Sequence, residues 1–136
     1  MIYEVDNALL QSRVFHSLVE NGVMTREEAD DMRDNIFEND IAIAYKDRDD
    51  RFIGIMIVGI DDNLIWEGGN RAAVVRDLRT CRDNSRYVFF ELLARARVWA
   101  RGNNIKNIYM IAKNDAKYYI NKMRFDYVAT ILKREA

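Results

Sequence analysis

The chain has 136 residues, 49% of them hydrophobic and 32% charged, with a formal net charge of −1. That size and balance suit one folded domain with its own core and exclude a disordered or fibrous chain. The single cysteine, Cys81, excludes an internal disulfide and fits a reducing, cytoplasmic setting, while the start, MIYEVDNALL, has neither a basic leader nor a long apolar run, and no segment reaches the roughly 20 apolar residues of a membrane span.

Ile2 to Val5 reads as a short strand. Over residues 8–20, Leu10, Val14 and Leu18 recur every four positions, which predicts one apolar helix face, and Asn21-Gly22 ends it. Thr25 with Glu28 three residues later is a capping box, so a second, strongly acidic helix is expected from there to about Phe37, broken by Asn39-Asp40. Ile41 to Tyr45 and Phe52 to Ile60 are β-rich runs around the charged turn Lys46 to Arg51, and predict a hairpin. Gly68-Gly69 leads to a third long strand, Arg71 to Thr80. Ser85 is expected to cap a helix from about Arg86 to Arg101, with Val88, Phe89, Leu92, Leu93, Ala96, Trp99 and Ala100 on its apolar face. Ile105 to Ala112 reads as a buried strand, Asn114 as the cap of a short helix, and Phe125 to Leu132 as a closing strand. Proline is absent, so the turns fall to six glycines and to Asn/Asp clusters. The order β-α-α-β-β-β-α-β-α-β predicts a mixed, mostly antiparallel α/β sheet in which helices join the last strands.

Charge is unevenly shared. Residues 1–70 hold 16 acids and 6 bases, and residues 71–136 hold 15 bases and 6 acids. Either the two halves attract each other in the fold, or the second half offers an anion site for a phosphorylated cofactor or a nucleic acid. The arginines between Arg71 and Arg101 carry no recognisable nucleic-acid motif, and Phe89 and Trp99 lie on the apolar helix face, so nucleic acid is not the expected partner. No Cys/His cluster points to zinc and no Walker-type loop is present. His16 lacks a catalytic neighbour in sequence. Cys81 follows a strand rich in arginine, which would favour its thiolate, but it has no histidine partner nearby and reads as structural.

The element order resembles that of the Gcn5-related N-acetyltransferases. Three stretches carry the resemblance: the hairpin over 41–60 with Phe52-Ile53-Gly54-Ile55-Met56 on its second strand, residues 92–110 (LLARARVWARGNNIKNIYM), and residues 114–128 (NDAKYYINKMRFDYV). The resemblance implies transfer of an acetyl group from acetyl-coenzyme A to a primary amine. The family cradles the cofactor pyrophosphate in the turn before its long helix, in a pattern Arg/Gln-x-x-Gly-x-Gly/Ala. That turn maps to Asn84–Phe89, with Tyr87 and Phe89 on the two glycine positions. Arg79, Arg82 and Arg86 then supply charge in place of the glycines, with Ser85, Tyr87 and Asn114 as further cofactor contacts. A backbone N–H near Leu78 and Arg79 is the expected donor to the acyl oxygen. Tyr119, beside the aligned Ile120, is the candidate acid toward the departing thiolate, although Arg124 stands where the family has glycine. Glu67 and Asp77 are the candidate bases. For Asp77, between Arg76 and Arg79, the plainer alternative is a salt-bridge partner, and for Tyr119 a core residue. The acceptor amine would lie against the two acidic helices.

The alternative implied by the departures is a retained fold without catalysis, as in some small phage-encoded proteins. Tyr87 or Phe89 would then fill the cofactor cleft, or a protein partner or second copy would cover it.

Overall fold

The computed structural model describes residues 1–62, 71–111 and 125. In chain order the elements are β1 (Ile2–Glu4), α1 (Ala8–Glu20), α2 (Arg26–Asp34), β2 (Ile41–Lys46), β3 (Phe52–Asp61), β4 (Ala72–Thr80), α3 (Ser85–Gly102) and β5 (Ile108–Met110). The strands form one sheet in the order β1-β2-β3-β4-β5. The first four are antiparallel to their neighbours, and β5 lies parallel to β4. This is the mixed α/β architecture that the sequence predicts. The expected last helix and closing strand lie outside the described residues, apart from Phe125, which packs against the core beneath α3.

Strand alternation builds a core on each face of the sheet. Ala42, Ala44, Ile55 and Ile57 face α1 and α2, where they meet Val14, Phe15, Leu18, Ala29 and Met32. Ile43, Met56 and Val58 face the other way, against Val88, Phe89, Leu92, Leu93 and Ala96 of α3. With helices on both sides, residues 54–59 of β3 are buried continuously, as expected of a central strand.

α1 and α3 stop in the same way. Gly22 has φ of 70° and its N–H bonds Val19 O, while Val23 N–H reaches back to Leu18 O. Asn104 has φ of 58° and bonds Arg101 O, while Ile105 N–H reaches Ala100 O. Both are Schellman closures, and in each the residue after the left-handed position turns its apolar side chain into a core. This corrects the expected start of β5. Ile105 belongs to the helix closure, so the strand begins at Ile108.

Two other boundaries differ from expectation. α2 ends at Asp34, three residues short of Phe37, because Asn35 Nδ2 donates to Asp31 O at 2.7 Å and the Asp40 carboxylate takes the Phe37 N–H at 2.9 Å. α3 starts at Ser85 with Asn84 as its N-cap, in the left-handed region at φ 59° and with no side-chain cap bond.

Candidate functional site

β4 and β5 share only a short ladder, Ala73 with Ile108 through Val75 with Met110. Beyond Val75, nothing among the described residues pairs with β4 on that side. β4 carries a bulge just past this ladder. Against β3, Val58 faces Val75 but Ile57 faces Asp77, so Arg76 is an extra residue without a partner. Arg76 is held from three directions. Its Nη1 bonds Asp40 Oδ2 at 2.5 Å, its guanidinium lies 4.3 Å from the Phe37 ring centroid, and its stem passes over Gly59. A Cβ on Gly59 would sit 2.7 Å from Arg76 Cδ and 2.9 Å from Asp40 Oδ1, so the missing side chain makes room for this pair.

The extra residue changes which face the following side chains take. Ala73 and Val75 belong to the core under α3, and after the bulge Leu78 packs there too. Asp77 and Arg79 therefore turn toward α2. They line a cleft of about 190 Å³ together with Glu28, Asp31, Met32, Asn35, Ile57 and Arg76. Arg79 Nη1 lies 2.6 Å from Glu28 Oε2, and its Nε 3.7 Å from Asp77 Oδ1. Glu28 is also the second half of the capping box, its Oε1 accepting Thr25 N–H at 3.0 Å. The Thr25 bonds, followed by the Arg79 charge, hold its carboxyl below the usual value.

The ladder also fixes where backbone donors point. Cys81 N–H bonds Ile53 O across the pair Gly54 and Thr80, so by antiparallel alternation Thr80 and Leu78 turn their own N–H groups away from β3. Leu78 N–H therefore lies on the β5 side of β4, where it donates to Asp77 Oδ1 at 2.9 Å.

Seven residues after Leu78, α3 begins. Val88 N–H is bonded to Asn84 O at 3.0 Å, and no side chain caps the turn before it. The two aromatic residues on the aligned glycine positions do different things. Phe89, 4% exposed, is part of the core, and Tyr87, 56% exposed, sets its ring edge-on to Tyr45 on β2, 6.1 Å between centroids. Val88 packs directly on β3, where a Cβ at Gly54 would come within 2.5 Å of Val88 Cγ1. That close approach sets the height of the helix start above the sheet.

Of the residues expected from sequence, Asp77, Leu78 and Arg79 meet at the bulged half of β4, and Arg82, Ser85, Arg86 and Tyr87 gather at the start of α3. Arg82 is exposed and forms no ion pair among the described residues. Glu67, Asn114 and Tyr119 lie outside the described residues, as do Gly68-Gly69, Ile120 and Arg124. The environment of Cys81 is the reverse of the one anticipated. Burial and then the Asp83 carboxylate push its thiol up, and Sγ donates to Asp83 O at 2.8 Å. His16 is exposed and pairs with Glu20 at 3.1 Å. Trp99 packs against the core under α3, as its periodicity implied. The contributions of Asp31 and of Glu28 beyond its cap were not anticipated. Their spacing, with Asn35, of three and four along one helix face was the available signal. Among the described residues, no group of three or more His, Cys, Asp and Glu is arranged to hold a metal, and no helix is long and apolar enough to cross a membrane.

No family model matches the sequence, and no curated protein matches it. Solved structures do. An aminoglycoside antibiotic 6'-N-acetyltransferase from Acinetobacter baumannii superposes over 100% of this chain and 97% of its own, with TM-score 0.73 and 10% identity. Glucosamine-6-phosphate N-acetyltransferase from Arabidopsis thaliana matches over 99% and 98%, with TM-score 0.69 and 9% identity. A protein described as a transcriptional regulator from Bacillus halodurans matches over 100% and 99%, with TM-score 0.70 and 16% identity. At such identities the likeness speaks for the fold. The sheet order, the parallel pairing of β4 and β5 and the full-length superpositions agree: the chain has the fold of the Gcn5-related N-acetyltransferases.

Proposed function

We propose that the chain transfers an acetyl group from acetyl-coenzyme A to a primary amine. The observation that carries this reading is the bulged end of β4. Leu78 N–H, turned away from β3, lies on the strand that leads to the uncapped N-terminus of α3, and it is flanked in sequence by Asp77 and Arg79 of the α2 cleft. Acyl transfer needs these three parts together: an anion site for the carrier, a donor for the acyl oxygen, and a polar pocket for the acceptor.

The residues present fit the carrier. Backbone N–H groups of the first turn of α3 suit a pyrophosphate, and Tyr87 and Phe89 direct their side chains toward β2 and the core. Arg82 and Arg86 would add charge-assisted bonds at the phosphates, with Ser85 beside them. Acetyl-coenzyme A supplies the activated acetyl thioester. Leu78 N–H would stabilise negative charge on the acyl oxygen, and Arg79 would keep α2 against β4. Asp77 would accept the amine proton, directly or through water. Asp31, Glu28 and Asp77 outweigh Arg76 and Arg79 by one charge in the acceptor cleft, which suits a cationic amine. Glu67, Tyr119 and Asn114 remain proposed contributors as base, acid and cofactor contact.

Isothermal titration with acetyl-coenzyme A at moderate ionic strength tests the reading. Micromolar binding that is lost in the Arg82→Ala/Arg86→Ala double variant is expected. No heat and no thermal stabilisation at millimolar cofactor would overturn it. The substituted glycine positions, Tyr87 and Phe89, favour a second reading, a non-catalytic binding module on the same fold. In that case pull-down of a protein partner and the oligomeric state become the informative measurements.

A further inference from the structure

Leu78 N–H already carries a bond, and its partner is an anion. The Asp77 carboxylate lies 2.9 Å away, on the donor that points away from β3. On the acetyltransfer reading, its oxygen occupies the place that the acyl oxygen would take on this donor. The same Oδ1 has Arg79 Nε at 3.7 Å, and Arg79 is fixed by Glu28 at 2.6 Å. A continuous line of polar contacts thus runs from the Thr25 cap of α2, through Glu28 and Arg79, to Asp77 and the edge of β4.

We propose that Asp77 is an internal stand-in for the acyl oxygen. The incoming carbonyl displaces its carboxylate from Leu78 N–H, and the released oxygen, on a carboxylate that already lines the α2 cleft, becomes free to receive the proton of the acceptor amine. This rests on the acetyltransfer reading above and adds an order to it. While Asp77 caps Leu78, its Oδ1 is engaged and the donor is satisfied, so neither half of the site is ready. Seating the acyl group frees both at once. In the transfer, an acceptor that enters as an ammonium first gives one proton to water, and the nitrogen lone pair so freed forms the new C–N bond. The C–S bond breaks with its electron pair going to sulfur, and the surplus proton on nitrogen passes to Asp77. The exchange also explains how a carboxylate can serve the cleft without leaving the half-buried Leu78 N–H unpaired when no acyl group is present.

The test compares two ligands that differ only at the acyl group, coenzyme A and acetyl-coenzyme A, by isothermal titration against the native chain and Asp77→Ala. In the native chain the carbonyl must replace an existing hydrogen bond, so the acetyl group adds little affinity. In Asp77→Ala the donor is free, and the advantage of acetyl-coenzyme A over coenzyme A is expected to grow about fivefold, the worth of one net hydrogen bond. Asp77→Asn, which keeps shape and a weaker acceptor, is expected to fall between, and serves if the alanine variant does not fold. An acetyl advantage unchanged across the variants overturns the proposal while leaving the acetyltransfer reading intact. Failure of both ligands to bind the native chain removes that reading, and this proposal with it.

Discussion

Arg79 Nη1 lies 2.6 Å from Glu28 Oε2, and so ties the C-terminal end of β4 to the first turn of α2. Glu28 serves two structures at once, because its other oxygen closes the capping box on Thr25. Its folded-state carboxyl is held below the ordinary 4.5, first by the Thr25 bonds and then by Arg79. A depressed carboxyl contributes stability that is fully present above the unfolded value and is lost as pH falls through the folded one. Thermal unfolding followed from pH 7 down to about pH 3 should therefore show a steeper loss for the native chain than for Glu28→Gln, which can keep the capping box but not the charge. Parallel curves would mean that Glu28 does not couple stability to pH.

Gly54 and Val88 set how closely α3 approaches the sheet. A methyl group at 54 would lie 2.5 Å from Val88 Cγ1, a branched side chain at 0% exposure with little room to move. Gly54→Ala is expected to destabilise the fold by about 1–3 kcal/mol in denaturant titration, the usual cost of overpacking. Adding Val88→Ala should recover part of that loss, since the two residues share one contact. An additive double variant would show that the methyl clashes elsewhere.

The Arg76–Asp40 pair holds the bulge. Asp40 is 5% exposed on its side chain, while Arg76 is 33% exposed. Arg76→Ala leaves the carboxylate with the Phe37 N–H as its other bond, and a loss of about 1–3 kcal/mol is expected, the cost of stranding a buried polar group. Asp40→Asn should cost less. If the bulge depends on this pair, Arg76→Ala should also weaken acetyl-coenzyme A binding, although Arg76 lies outside the proposed cofactor contacts.

Cys81 provides a check on local electrostatics. Burial raises its thiol, Asp83 raises it further, and Sγ is engaged by Asp83 O. Its reaction with a neutral disulfide reagent at pH 8 should be slower than that of an unstructured cysteine, and should reach the free rate on denaturation. Asp83→Asn should speed it. A native rate at or above the free one would contradict this environment.

Much of the architecture was legible along the chain. The periodicity of residues 8–20 and 86–101, the Thr25–Glu28 box and the β-rich runs at 41–45, 52–60 and 71–80 each depend on near neighbours, and each element formed. The misplacements fell at ends, where side chains met distant partners. α2 stopped early because Asn35 and Asp40 took up its exit, and β5 started late because Ile105 closes α3. The candidate site was legible in part. Asp77, Leu78 and Arg79 stood out from the resemblance, but Asp31 and the second role of Glu28 did not, since both acquire meaning only from what β4 places opposite them.

The sequence by itself determined which residues alternate and which recur, and with that the helices, the strands and two apolar surfaces for the sheet. Only the tertiary structure decided which way the functional half of β4 faces. Strict alternation from Ala73 and Val75 would carry Asp77 into the apolar core under α3. The extra residue at Arg76, anchored by Asp40 thirty-six positions away, moves the register by one, so that Leu78 takes the core and Asp77 turns to α2. A strand's side chains have a period of two, so one inserted residue exchanges its faces, and a long-range ion pair on the far side of the hairpin marks where that insertion falls.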